Sequence, residues 1–201
     1  MDAFEAIEKR RAVKEYDATH RLTSAEEQKI LDAAIKAPTS FNIQHWRFVI
    51  LRDPELRARI RKDFGNDQAQ MTDASLLVLL TADVKAWTKS PERYWRNAPK
   101  EVSEILVNWM GPFHEGRDWL QRDEAQRSIG MAMQNMMLAA VAMGYQCCPM
   151  IGFDIEKVAE LINLPDDHVM GPMVAIGKGT KDPWPRPGQL SRDAVVIENG
   201  F

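Results

Sequence analysis

Residues 75–82 read SLLVLLTA, a nearly unbroken apolar run set between Ala74 and Asp83. Eight residues is strand length, and the lack of alternation fits a strand covered on both faces, so the run predicts a buried strand with helices lying over it. Working outward, Trp46–Leu51 (WRFVIL) has the aromatic and β-branched content of a second strand, Tyr145–Ile151 of a third, and Met170–Gly177 (MGPMVAIG) of a fourth. Gly171 and Pro172 imply that the fourth begins irregularly or at a sheet edge.

Helical patterns separate these runs. Asp2–Lys9 sets Phe4 and Ile7 on one face, with Asp2 suited to the first turn. Leu22–Lys36 carries an apolar face of Ile30, Leu31, Ala34 and Ile35, a capping box from Ser24 to Glu27, and Pro38 as its stop. Pro54–Lys62 opens on a proline and ends before Gly65 and Asn66. Pro91–Met110 reads as broken helix and the Gly-Pro-Phe-His that follows as a loop. The tryptophans at 87, 95, 109 and 119 are expected in core or interface packing. Asp123 is placed to cap a long helix, Glu124–Met143, whose second half is apolar on every side and must therefore be central. Gly144 ends it, and Asp154 caps a short helix at Ile155–Ile162. The tail, with prolines at 183, 185 and 187 before Ala194–Ile197, reads as an arm that crosses something and then adds a strand. With no repeat and no linker, residues 1–201 are expected to form one α+β domain.

Composition narrows the function classes. The 201 residues are 45% hydrophobic and carry 26 basic against 29 acidic side chains, a net charge of −3 that argues against a general electrostatic grip on nucleic acid. No apolar run approaches the roughly 20 residues of a membrane span, and no secretory leader is visible, so a cytoplasmic protein is expected. The two cysteines, Cys147 and Cys148, are adjacent and fit a reducing compartment. The histidines, at 20, 45, 114 and 168, are scattered, and a metal site is not expected.

Two stretches carry candidate chemistry. Arg10, Arg11 and Lys14 put three cations in five residues, which is either a solvated face or an anion site. Ala37–Phe48, APTSFNIQHWRF, is a polar loop between helix and strand, the kind of segment that touches a ligand.

The chain resembles the nitroreductase family of FMN-dependent oxidoreductases along essentially its whole length. The resemblance rests on Arg10-Arg11-Ala-Val-Lys14, the 37–48 loop, Gln68-Ala-Gln70, Pro149-Met-Ile-Gly-Phe-Asp154, and Ile-Gly-Lys178 followed by Pro-Arg186-Pro, in the family's order. It implies an α-β-α sandwich around a central, mostly antiparallel sheet, in an intertwined homodimer with exchanged C-terminal arms and FMN at the interface. Arg10 and Arg186 look like phosphate ligands, with Arg11 nearby and Lys178 as a helper. Lys14 looks like the cation beside flavin N1 and the C2 carbonyl. Gln70, with Gln68, would meet the pyrimidine edge. Pro38, Thr39, Ser40 and Asn42 would come from the other subunit. In the Pro149, Met150, Ile151, Gly152 segment, the Ile151 N–H would sit near flavin N5.

The implied activity is a ping-pong cycle in which NADH or NADPH reduces the flavin and a nitroaromatic, quinone or related acceptor reoxidises it. Other flavin chemistry on the same fold, such as flavin reduction or dehalogenation, and a non-catalytic FMN-binding protein are the alternatives. Two residues depart from the family pattern. Ala12 replaces a frequent Ser, removing a hydroxyl donor worth about 1 kcal/mol. His45 replaces a common Pro, and its ring is expected at the surface or approaching the flavin rim.

Overall fold

The computed structural model describes residues Met1 to Phe201. Its sheet has four strands, β1 (Trp46–Ile50), β2 (Leu76–Asp83), β3 (Gln146–Met150) and β4 (His168–Gly177), in the spatial order β1-β2-β4-β3. Every pairing is antiparallel. All eight residues of β2 are buried, and alternate side chains go to opposite faces, as the two-residue period of a strand requires.

Leu76, Val78, Leu80 and Ala82 join one apolar cluster with Ile30 and Ala34 of helix α2 (Ser24–Ala34) and Ile129, Met136 and Ala140 of helix α6 (Asp118–Ala142). Leu77 and Leu79 join the other, with Ile60, Met71, Val158 and Phe153. Each fully buried Leu, Ile or Met contributes roughly 1.5–3 kcal/mol. The strands are thus cemented by helices on one side and by shorter helices and turns on the other.

The helices follow their local signals, with some displaced ends. Helix α1 (Ala3–Lys9) is capped by Asp2, but its buried residue is Ala6, while Phe4 is 83% exposed and Ile7 half exposed. Helix α2 is capped one residue earlier than expected: Thr23 accepts from the Glu26 N–H and Glu26 returns to the Thr23 N–H. Helix α3 (Pro54–Arg59) has Asp53 as its cap and unwinds through a π turn to Gly65. A one-turn helix, α4, covers Gln70–Asp73.

Helix α5 (Lys100–His114) runs straight through Gly111 and Pro112, where a loop was expected. Proline forfeits only the bond to the Asn108 carbonyl, and Asn108 lies exposed to water. Helix α6 starts six residues before the expected position. Lys85 Nζ meets Asp118 at 3.2 Å and Gln121 at 2.7 Å, tying down its first turn, so Asp123 lies inside the helix rather than capping it. The stop at Gly144 holds, with φ +89°. Helix α7 (Ile155–Leu161) is capped by Asp154 through the Lys157 N–H.

Strand β4 is central, not an edge. Its irregularity is a bulge, where Leu79 faces Met173 but Thr81 faces Met170. Pro172 falls in that bulge and beyond the end of β3, which pairs only with residues 173–177, so no ladder bond is lost there. The C-terminal arm adds no strand. It runs extended and then forms one helical turn, α8 (Arg192–Val195), with Trp184 89% exposed and no sheet edge beside it.

Gly171 permits helix α6 to close on the sheet. A Cβ there would meet Ile129 Cγ2 at 2.8 Å and the Leu80 carbonyl oxygen at 3.0 Å. Gly171→Ala is therefore expected to cost about 1–3 kcal/mol, read as a lower urea midpoint at unchanged slope. An unchanged midpoint would show that α6 does not press on this bulge.

Candidate functional site

Residues 10–17 leave α1 and run along the sheet almost as a fifth strand. Ala12 bridges Cys147 in parallel, and Tyr16 bridges Gly179 in antiparallel fashion. The seam is closed by N–H bonds from Val13 to Cys147 at 3.1 Å, from Asp17 to Lys178 at 2.8 Å, and from Thr180 to Glu15 at 3.1 Å. Val13 and Tyr16 are buried pegs, and the Tyr16 hydroxyl donates to the Ala175 carbonyl at 3.3 Å. With those two side chains turned inward, Ala12, Lys14 and Glu15 face outward.

Across from them returns the segment 181–187. Lys181 pairs with Glu15 at 2.7 Å, and Arg186 Nη2 donates to the carbonyls of Ile7 at 3.0 Å and Glu8 at 3.3 Å, where α1 presents its negative end. Between the two segments lies a cavity of about 440 Å³, lined by Arg10, Arg11, Lys14, Lys181 and Arg186, with Trp184 and the intervening prolines. Five cations against Glu15 and Asp182 give it an excess of positive charge, and guanidinium forks have the shape that suits phosphate oxygens. Arg10 also sits beside Cys147. Burial pushes that thiol up to about 12 although Arg10 pulls it down, so it stays protonated and is no nucleophile.

A second group lies where β3 ends. The N–H groups of Ile151 and Gly152 have no acceptor within the chain, and Ile151 is 58% exposed. A Cβ on Gly152 would meet only Gln68 Nε2, at 3.5 Å, so nothing in this chain's packing demands glycine; its bareness leaves room for an approaching ring. Gln68 Nε2 donates to the Gly152 carbonyl at 2.8 Å, and buried Gln70 donates through Nε2 to Gln68 Oε1 at 3.0 Å, leaving its own Oε1 open. Lys14 and Pro149 each lie two residues beyond the Ala12–Cys147 bridge, so the cationic seam runs toward these donors.

The 37–48 loop stands apart, sharing neither cavity lining nor hydrogen bonds with those two groups. It is strained: Phe41, Asn42 and Gln44 take positive φ of 49°, 55° and 55°, a conformation that costs about 1–2 kcal/mol for Phe41 and Gln44 and less for Asn42. Thr39 Oγ1 accepts from the Gln44 N–H at 2.9 Å, and Asn42 Nδ2 donates to the Tyr94 carbonyl at 2.8 Å. Phe41 packs against Phe113 and His114 of α5.

The structure therefore gathers Arg10, Arg11, Ala12, Lys14 and Arg186 in one cavity, Gln68, Gln70, Ile151 and Gly152 in one hydrogen-bonded group, and Pro38, Thr39, Ser40 and Asn42 in a third place. Lys178 offers its backbone to the seam but does not line the cavity. Pro149 and Met150 belong to β3, and the Met150 side chain is spent in the core. Lys181 and Trp184 also line the cavity, although the sequence of the tail points only to an arm. Asn66, a helix stop by its sequence position, also donates through Nδ2 to the Gly152 carbonyl at 3.1 Å.

A sequence model of the nitroreductase family matches residues 7–178. The protein DrgA of Synechocystis sp. is 66% identical over 90% of this chain and 86% of its own length. YodC of Bacillus subtilis, assigned as an NAD(P)H nitroreductase, is 28% identical over 90% of this chain and 91% of its own. The crystal structure of a protein from Exiguobacterium sibiricum assigned as a nitroreductase, in complex with FMN, superposes with a TM-score of 0.89 at 25% identity, covering 98% of this chain and 97% of that one.

His45 is neither at the surface nor at a rim. It is fully buried, with Nδ1 at 2.9 Å from Ser128 Oγ, whose hydroxyl donates to the Glu124 carbonyl at 2.7 Å. Desolvation first, then the neighbouring His114, lowers its pKa from 6.5 to about 4, with Asp83 opposing and Arg47 assisting. Burial lowers His114 as well. The unfolded chain thus binds more protons between about pH 6.5 and 4, so His45's contribution is complete above that window and is lost as pH falls through it, by up to about 3 kcal/mol. Urea midpoints measured from pH 7 to 4.5 should fall more steeply for the native protein than for His45→Gln. Parallel curves would refute this.

Proposed function

The chain belongs to the nitroreductase family, and on that footing we propose that it is an FMN-dependent oxidoreductase that draws electrons from NADH or NADPH. When bound, FMN supplies the redox chemistry, two electrons taken as hydride from the nicotinamide and passed to a nitroaromatic, quinone or related acceptor in a ping-pong cycle. The observation that carries this reading is the cavity into which the two ends of the chain bring Arg10, Arg11, Lys14 and Arg186, continued by the free donors at Ile151 and Gly152.

In this reading Arg10 and Arg186 grip the phosphate, with Arg11 beside them. Arg186 keeps Nε and Nη1 for that purpose, since Nη2 serves the α1 carbonyls. Lys14 holds a positive charge where the reduced ring system carries negative charge, which favours reduction most where water is partly excluded. The Ile151 and Gly152 N–H groups orient the reactive edge of the ring, and Gln70 Oε1 accepts from its pyrimidine side.

We further propose that residues 1–201 act as one FMN-binding domain in a homodimer. The separation of the Pro38–Asn42 loop from the cationic cavity supports a contribution of Pro38, Thr39, Ser40 and Asn42 to the flavin held mainly by the other subunit. The exposed Phe4, Ile7 and Trp109, and the uncovered arm with Trp184, Val195 and Ile197, are what a partner subunit would cover. Free thiols at Cys147 and Cys148 support a reducing, cytoplasmic setting. No helix is long and apolar enough to cross a membrane.

Arg10→Ala and Arg186→Ala should each weaken FMN binding about ten- to a hundredfold, as loss of a charged hydrogen bond implies, measured by quenching of FMN fluorescence on titration. Anaerobic NADH or NADPH should bleach the oxidised flavin of the loaded protein. Bleaching by neither would leave an FMN-binding protein without turnover, and a native protein that takes up no FMN would overturn the whole reading.

A further inference from the structure

The turn that leaves α3 is built with unusual care for a surface segment. Asn66 and Asp67 hold successive positive φ values of 52° and 53°. Arg61 clamps the turn, with Nε on Asp67 at 2.7 Å and Nη1 on Thr72 at 2.9 Å. Gly65 is required, because a Cβ there would collide with Met71 Sδ and stand 2.9 Å from the Ile60 carbonyl oxygen. The product is two side-chain amides aimed at one carbonyl: Asn66 Nδ2 at 3.1 Å and Gln68 Nε2 at 2.8 Å from the oxygen of Gly152.

The Gly152 carbonyl belongs to the same peptide unit as the Phe153 N–H. That N–H donates at 2.9 Å to the Ile151 carbonyl, closing a γ-turn. The Ile151 carbonyl in turn shares its peptide unit with the Gly152 N–H, which is free. Upstream, Gln70 donates to Gln68 Oε1, so the amide of Gln68 is itself polarised. The bonds form one directed chain, Gln70 to Gln68 to the 152–153 peptide to the 151–152 peptide. Each link strengthens the next by roughly 10–30%.

We infer that Asn66 and Gln68 are positioning residues that aim and polarise the free Gly152 N–H, making it a stronger second hydrogen-bond donor beside the Ile151 N–H at the N5 edge of a flavin. The inference rests on the reading of this site as an FMN site. Gln70, with its open Oε1, and Gly152 N–H then form the two ends of one network facing the same ring. A contact at the pyrimidine side and the second donor at the N5 edge are coupled through the protein.

The test uses Asn66→Gly, which keeps the positive φ without strain, and Gln68→Met, which keeps the side chain's length and loses its donor. In ¹⁵N-labelled FMN-free protein the Gly152 amide proton should move upfield in each variant and furthest in the double variant. In the FMN-loaded proteins the affinity for sulfite, which adds at flavin N5 and bleaches the visible band, should fall about three- to tenfold per lost bond. Shifts spread over residues 60–73 with Gly152 unmoved would make the amides merely structural and overturn the inference. So would a moved Gly152 resonance with unchanged sulfite affinity. If the native protein takes up no FMN, it is the cofactor reading that fails, and the Gly152 resonance still decides whether the amide chain exists.

Discussion

Burying a β-strand on both faces removes water from its whole backbone, so each peptide group must find a partner and each side chain a cover. Leu76–Asp83 imposes that requirement on this protein. Its ladder groups are met by β1 on one side and β4 on the other, its even-numbered side chains by α2 and α6, and Leu77 and Leu79 by the segments around Ile60, Met71 and Val158. Everything of chemical interest then falls at the rim of that assembly. Main-chain groups beyond the last rung of β3 are no longer owed to a neighbour, and residues 10–17 lie along the open side, where cations can be presented without being buried.

The polar groups of the rim are spent differently in its separate parts. In the cationic cavity the arginines are only partly engaged: Arg186 uses one nitrogen on α1 and retains others. In the 37–48 loop the side chains are committed, with Thr39 and Asn42 holding positive-φ backbone in place. A loop that stores strain and fixes its own shape is preorganised, while a cavity with spare donors is receptive. Those properties would be complementary in the proposed dimer, where the two surfaces meet around one flavin.

Much of this was legible from residue order because the decisive signals are local. The uninterrupted apolar run at 75–82, proline after Asp53, glycine at 144 and Asp154 before a helix all act within a few residues of themselves. Local signals mislead where they are duplicated or overruled. Thr23-Ser24 and Glu26-Glu27 offer two capping boxes one residue apart, and only the fold selects the first. Asp123 resembled a cap until Lys85, 33 residues before Asp118, carried the helix further back. Pro112 broke nothing because the bond it lost faced solvent. His45 looked like a surface residue because its partner, Ser128, is 83 positions away. The tail's apolar residues suggested a strand, but strand propensity is realised only beside an edge, and the protomer offers none there. For the site, residue identities are readable, whereas the amide chain through Gln68, joined by Asn66 at the Gly152 carbonyl, depends on a turn geometry that composition does not encode.

The cationic cavity is walled by residues 10–15 on one side and 181–187 on the other, almost the full span of the polypeptide apart. During synthesis the second wall is made only after the roughly 165 residues that separate it from the first. Until residues 181–187 have been made, the chain lacks half of the cationic cavity, however well its sheet has formed. Closing this cavity is therefore a late event that joins distant parts of one chain.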